Sequence, residues 1–309
     1  MHIGVFGVGG VGGYFGGRLA QAGEQVVFIA RGQHLAAMQR DGLRIESIKG
    51  DALVQPVQAT DDPHAAGVVD VLLVGVKAWQ VSEAAAQMRP MVGPETMVVP
   101  LQNGVEAAEQ LAAVFGRERV IGGLCRIFSH VAAPGVIRHL SAEPTIIINE
   151  LDNTTTARVE QIHTALVRAG IDAQIAPDIH VALWSKFAFV CPTGTLGAVT
   201  RLSMGIVRTQ PETRQMLEQA VQEVLTVARA RGVPMPAESF ECTMALIEKT
   251  AADAITSMQR DIMDGRPSEL EAQPGAVARL GSAAGVEVPI HTFVYHSLLP
   301  LERQARGLI

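Results

Sequence analysis

The chain has 309 residues, of which 48% are hydrophobic and 18% charged, and its formal net charge is −6. That length allows two domains with real cores, and the negative balance argues against a nucleic-acid partner. The most apolar stretch, Val68 to Val76, falls far short of the roughly 20 residues of a membrane span; Cys125, Cys191 and Cys242 are too widely spaced for a disulfide framework or a zinc site, so a soluble, cytoplasmic, metal-free globular protein is expected.

In chain order, His2 to Phe6 reads as a strand that ends in the turn GVGGVG at residues 7–12. An Ala/Gly-rich helix follows to about Ala22, and Gly23 stops it, as a glycine just past a helix commonly does. Gln25 to Ala30, Val69 to Val76 and Thr96 to Leu101 read as further strands, with helices such as Val81 to Arg89 and Val105 to Phe115 between them. Fully apolar strands alternating with helices imply a parallel sheet covered on both faces. Val120 to Phe128, Val136 to Leu140 and Thr145 to Ile148 are close enough for hairpins, so part of the sheet is expected to be antiparallel. Beyond Pro177 the spacing turns helical: Asp178 to Val190, Pro211 to Arg231, Pro236 to Met263 and Ser268 to Ala284. Pro211 and Pro236 suit first helical turns, Gly232 and Gly265 suit helix ends, and Pro274-Gly275 is expected to kink or divide the last helix. The predicted fold is therefore α/β: a Rossmann-type domain over residues 1–176 and an all-α domain over 177–309.

The sequence Gly7-x-Gly9-x-x-Gly12 sits between the first strand and the first helix, and that placement gives it meaning. Gly7 permits the turn, Gly9 lets a pyrophosphate approach the backbone, and Gly12 allows close helix–strand packing. The loop, including Val8, Gly10 and Val11, is thus a candidate dinucleotide cradle. The second strand ends in Arg31, with no carboxylate to accept from a ribose 2′-hydroxyl. A guanidinium there can pair with a 2′-phosphate, so NADP(H) is expected over NAD, with His34 at the rim.

Lys77 closes the third strand and Asn103-Gly104 follows the fourth. Both point at the carboxyl end of the sheet, where ligands bind in open α/β folds, although a solvated lysine or an ordinary turn would read the same way. Lys186 is the one charged residue between Val181 and Val190, flanked by Trp184 and Phe187. An ammonium there either finds a partner and a role or snorkels to water. Ser257 falls within a helical stretch, and Glu269 follows Ser268, a candidate cap.

Taken in order, GVGGVG, Arg31, Lys77-Ala78-Trp79-Gln80, Asn103-Gly104, Leu183-Trp184-Ser185-Lys186, Ser257-Met258 and Glu269 resemble the ketopantoate reductase family over nearly the whole chain. The resemblance implies a Rossmann domain joined to a helical domain like that of 6-phosphogluconate dehydrogenase, with the active site in the cleft between. It also implies NADPH-dependent reduction of 2-dehydropantoate to (R)-pantoate, a step towards pantothenate. By the same resemblance Lys186 is the proton donor, Asn103 touches substrate and nicotinamide ribose, and Lys77 helps bind or polarise the reactants. Ser257 contacts substrate and Glu269 contacts the cofactor. The partner is a small 2-oxo acid; assembly as a homodimer is left open.

Three positions depart from the family pattern: Val190, Gly194 and Pro274 stand where asparagine is usual. Losing hydrogen-bonding side chains weakens binding of a polar head, with Thr193 or Thr195 as candidate replacements. Two other readings therefore stay open. One is a paralogous reductase of a more apolar 2-oxo acid, and the other a catalytically silent NADP-binding regulator.

Overall fold

The structure is a computed structural model that describes all 309 residues, the side chains of Ser141 and Ala142 excepted. The chain forms two units, Met1–Gln102 with Ala107–Ile179, and Asn103–Glu106 with His180–Ile309.

The first unit runs β1 (His2–Phe6), α1 (Gly10–Gln21), β2 (Gln25–Ile29), α2 (Gly32–Asp41), β3 (Leu43–Ser47), β4 (Ala52–Val54), β5 (Gln58–Thr60), α3 (Pro63–Ala66), β6 (Val71–Val74), α4 (Val81–Met88), β7 (Met97–Pro100), α5 (Ala107–Phe115), β8 (Ile121–Ala133), β9 (Val136–Glu150), α6 (Ala157–Arg168) and β10 (Asp172–Ile175). Strands β5, β2, β1, β6 and β7 lie side by side in that order, all parallel. The order reverses between β1 and β6, the switch point beside which such sheets bind ligands. Alternate residues feed two cores: Ile3, Val5, Val71 and Leu73 enter one, Phe6, Leu72 and Val74 the other. A period of two with both faces buried is why these strands read as unbroken apolar runs.

A second sheet has the order β10, β9, β3, β4, with β8 antiparallel to β9. It corrects the expected pair of short strands at 136–140 and 145–148. One long strand, β9, spans both, pairing with β3 at one end and β10 at the other. Polar residues such as His139 and Glu143 interrupt the hydrophobic pattern without interrupting the ladder. Strand β3 alternates as Leu43-Arg44-Ile45-Glu46 and was passed over in the sequence, whereas β4 and β5, three residues each, are too short for periodicity to show. Helix α1 packs against strands of both sheets, and its glycines explain how. A Cβ on Gly16 would lie 2.6 Å from Val5 Cγ2, so the helix can press onto β1 only without one.

The second unit is helical: α7 (Ile179–Thr200, its first residue counted with the first unit), α8 (Met204–Thr209), α9 (Pro211–Ala230), α10 (Ser239–Lys249), α11 (Ser257–Met263), α12 (Pro274–Ala283) and α13 (Pro289–Ala305). Helix α9 buries Leu217, Val221, Val224 and Ala228 at helical spacing. On the same helix the buried Glu223 accepts from the Ile290 and His291 backbone N–H groups at 2.9 and 3.1 Å and pairs with the His291 ring. That carboxylate satisfies donors at the start of α13.

Two helix expectations are corrected here. Pro236 to Met263 is not one helix, because residues 250–256 break it and Thr256 starts α11 with a capping box to Gln259. Residues 268–273 form turns, and Pro274 opens α12 at its first turn rather than kinking a longer helix. A proline lacks only an N–H that would be unpaired at that position. Ser268 does not cap a helix; its hydroxyl accepts from the Leu270 N–H within the turn.

Candidate active site

Gly7 turns the chain out of β1 with φ +96, and a Cβ there would lie 2.7 Å from the Val76 nitrogen. Only glycine fits that turn. Gly9 is the N-cap of α1 and no side chain caps it; no acidic residue lies in the first turn. A Cβ on Gly9 would meet nothing within 4 Å, whereas one on Gly10 or Gly12 would collide with the Ser129 or Gly7 carbonyl oxygen. Backbone N–H groups and the positive end of the dipole are therefore offered beside open space. This fits the pyrophosphate of a dinucleotide.

Arg31 is exposed after β2 at the N-cap position of α2, with no side-chain capping bond, and its guanidinium donates to Gln87 Oε1. That partner is neutral, so the full positive charge stays at the strand end. His34 does not serve as a cation at the rim. Its Nδ1 accepts from the Gly135 N–H at 3.0 Å. Burial pushes its pKa below the ordinary value, opposed only in part by the Val8 carbonyl. Burial thus disfavours the charged form that would attract a phosphate.

Lys77 is exposed at the start of the 3₁₀ turn Ala78–Gln80, where the Gln80 side chain accepts from its N–H at 3.2 Å. Nearby Gln102 is buried and donates to the Val74 and Val76 carbonyls at 2.8 and 3.0 Å. That bond holds the carboxyl end of β6 to the segment after β7.

In the second unit, Lys186 is half-buried on α7, next to an edge-to-face pair of Trp184 and Phe187 with centroids 5.6 Å apart. Val190 and Gly194 follow it at four-residue steps, one helical face. Both threonines offered as replacements by the sequence make local contacts on α7, which commit the Thr193 donor. Thr193 donates its hydroxyl proton to the Phe189 carbonyl at 2.7 Å, and the fully buried Thr195 faces Cys191 Sγ. A hydroxyl has a single proton to give.

Asn103 and Glu269, 166 residues apart, are brought together: Asn103 Nδ2 donates to Glu269 Oε2 at 3.1 Å. Glu269 is buried, and its turn is anchored by the buried Glu302, which accepts from both the Ser268 N–H and its hydroxyl. Arg306 holds Glu302 in turn. The same Glu269 oxygen accepts from Gln273 Nε2 at 3.2 Å. Sequence reasoning passed over Gln273, an uncharged residue in what reads as a continuing helix. Ser257, half-buried, occupies the first turn of α11. Among the described residues no group of three or more metal-ligating side chains occurs, and no helix is long and apolar enough to cross a membrane.

Comparison with known proteins bears on both units. A family model described as ketopantoate reductase PanE/ApbA matches residues 3–153, and its C-terminal counterpart matches residues 178–302. A protein of Nostoc sp. named 2-dehydropantoate 2-reductase is 30% identical, over 98% of this chain and 95% of its own. A protein of Bacillus subtilis named uncharacterized oxidoreductase YkpB is 28% identical over 98% of this chain and 100% of its own. The crystal structure of a PanE/ApbA family ketopantoate reductase from Ralstonia eutropha JMP134 superposes with a TM-score of 0.91 at 29% identity, covering 99% of this chain and 100% of that one.

Proposed function

The chain belongs to the ketopantoate reductase family, and on that footing we propose that it is a cytoplasmic enzyme reducing 2-dehydropantoate to (R)-pantoate with NADPH. In this reading residues 1–176 bind the dinucleotide and contribute Asn103 to the substrate, and 177–309 supply Lys186 and Ser257 on the substrate side and Glu269 on the cofactor side. The observation that carries it is the Asn103–Glu269 hydrogen bond. It joins two residues that the resemblance assigns to substrate and cofactor, and nothing local in the sequence requires them to meet.

The uncapped start of α1 binds the pyrophosphate through backbone N–H groups, and Arg31 pairs with the 2′-phosphate. Bound nicotinamide supplies the hydride. Lys186 Nζ holds the proton that passes to the ketone oxygen as negative charge develops there, and its ammonium stabilises that charge. Because Asn103 Nδ2 is held by Glu269, the amide orientation is fixed and Oδ1 is the atom presented to a hydroxyl, a contribution through positioning. Lys77 adds positive charge at the carboxyl end of the sheet, and Ser257 contacts substrate.

A second reading, reduction of a different 2-oxo acid, is favoured by Val190 and Gly194, which offer no polar side chain. NADPH oxidation followed in the near-ultraviolet with a panel of 2-oxo acids separates the two. Turnover of ketopantoate supports the first reading, turnover only of another acid supports the second, and no turnover refutes both.

A further inference from the structure

We propose that Arg279 is a positioning residue: it clamps the segment carrying Asn103 to the turn carrying Glu269 and so sets the geometry of that pair. This rests on the reductase reading above.

The segment Asn103–Glu106 is counted with the second unit, as are α12 and the turn before it. Asn103 Nδ2 donates to Glu269 Oε2. Gly104, with φ +103, runs so close to the turn that a Cβ on it would lie 2.9 Å from the Ala272 carbonyl oxygen. Just beyond these contacts each segment carries a carboxylate, Glu106 after Asn103 and Glu271 after Glu269. The Arg279 guanidinium, on α12, reaches both. Its Nη2 donates to Glu106 Oε2 at 2.9 Å and to the Glu271 carbonyl oxygen at 3.1 Å, and its Nη1 donates to Glu271 Oε2 at 3.2 Å. Tyr295 on α13 donates its hydroxyl to the same Glu271 carboxylate at 2.9 Å.

A guanidinium carries its donors in a rigid planar fork, so it can hold two carboxylates in a fixed relation; an ammonium is a point charge that cannot. The Arg279 and Glu271 side chains are half exposed, and ion pairs in such a setting add little to stability. What the fork restricts is position. It fixes Glu106 against Glu271, and through them Asn103 against Glu269, which a single hydrogen bond between two long side chains does not do. Positioning of this kind bears on rate, since a displacement of about 1 Å can lower turnover by about 100-fold.

The test reads kcat/KM for the 2-oxo acid that the wild type turns over best. Arg279→Gln should lower it roughly 5- to 50-fold while melting stays close to that of the wild type. Glu106→Gln breaks the clamp from its other side; it should cause a similar loss and carries the test if the first variant does not fold. The deciding measurement repeats each substitution in an Asn103→Ala background. There the further loss should be less than about twofold, because the contribution passes through Asn103. A residue that merely supported the fold would lower activity equally in both backgrounds. Unchanged kcat/KM in the folded variants, or equal losses with and without Asn103, overturns the inference while leaving the reductase reading intact. No turnover of any 2-oxo acid by the wild type refutes that reading and this inference with it.

Discussion

Gly7 and Gly9 stand two residues apart in one loop, yet the structure assigns their substitution opposite consequences. At Gly7 an alanine meets two penalties. Its φ of +96 is a conformation that L side chains rarely adopt, and its Cβ would lie 2.7 Å from the Val76 nitrogen and 2.9 Å from the Gly75 carbonyl carbon. Ordinary contact needs roughly 3.4 Å or more, so backbone has to move by about half an ångström. Strained backbone costs about 1–3 kcal/mol, and overpacking adds a similar amount. At about 2–4 °C per kcal/mol for a unit of this size, Gly7→Ala should lower the first unit's melting temperature by roughly 4–24 °C. Gly9, with φ −81 and open space around it, tolerates a Cβ. Gly9→Ala should leave melting within about 2 °C, but its methyl occupies the approach to the α1 backbone and should weaken NADPH binding at least about tenfold. Calorimetry and a cofactor fluorescence titration read both. Wild-type melting for Gly7→Ala, or wild-type NADPH affinity for Gly9→Ala, refutes the reasoning.

Three further outcomes are expected. Lys186→Ala should lower kcat by a factor on the order of 10²–10⁴ while NADPH affinity is kept; near-normal turnover removes Lys186 as the proton donor. Arg31→Ala should weaken NADPH binding far more than NADH binding, and an equal effect on both places the 2′-phosphate elsewhere. His34 should make stability pH-dependent. Its folded-state pKa lies below the ordinary 6.5, so the unfolded chain binds more protons between the two values. The contribution is then complete above about pH 6.5 and is lost as pH falls through the folded value. Urea midpoints from pH 5 to 8 should fall more steeply at the acid end for wild type than for His34→Gln, and parallel profiles refute this.

The sequence by itself determined the features written in short-range order. The glycine loop falls between a strand and a helix. The central sheet strands β6 and β7 are apolar throughout because both faces are covered, and the second half carries helical spacing with Pro211 opening a helix. Each depends on residues within a turn or two of one another. Tertiary structure alone decided what those residues meet. Two polar-interrupted segments form one strand, β9, because partners on either side continue the ladder. Burial lowers the pKa of His34, and its Nδ1 accepts from Gly135, 101 residues away. Thr193 is spent on its own helix. Asn103 meets Glu269 across 166 residues. Hydrophobic periodicity reports which face of an element is buried; it carries no information on which distant polar atom will stand opposite, and the chemistry of a site depends on that pairing.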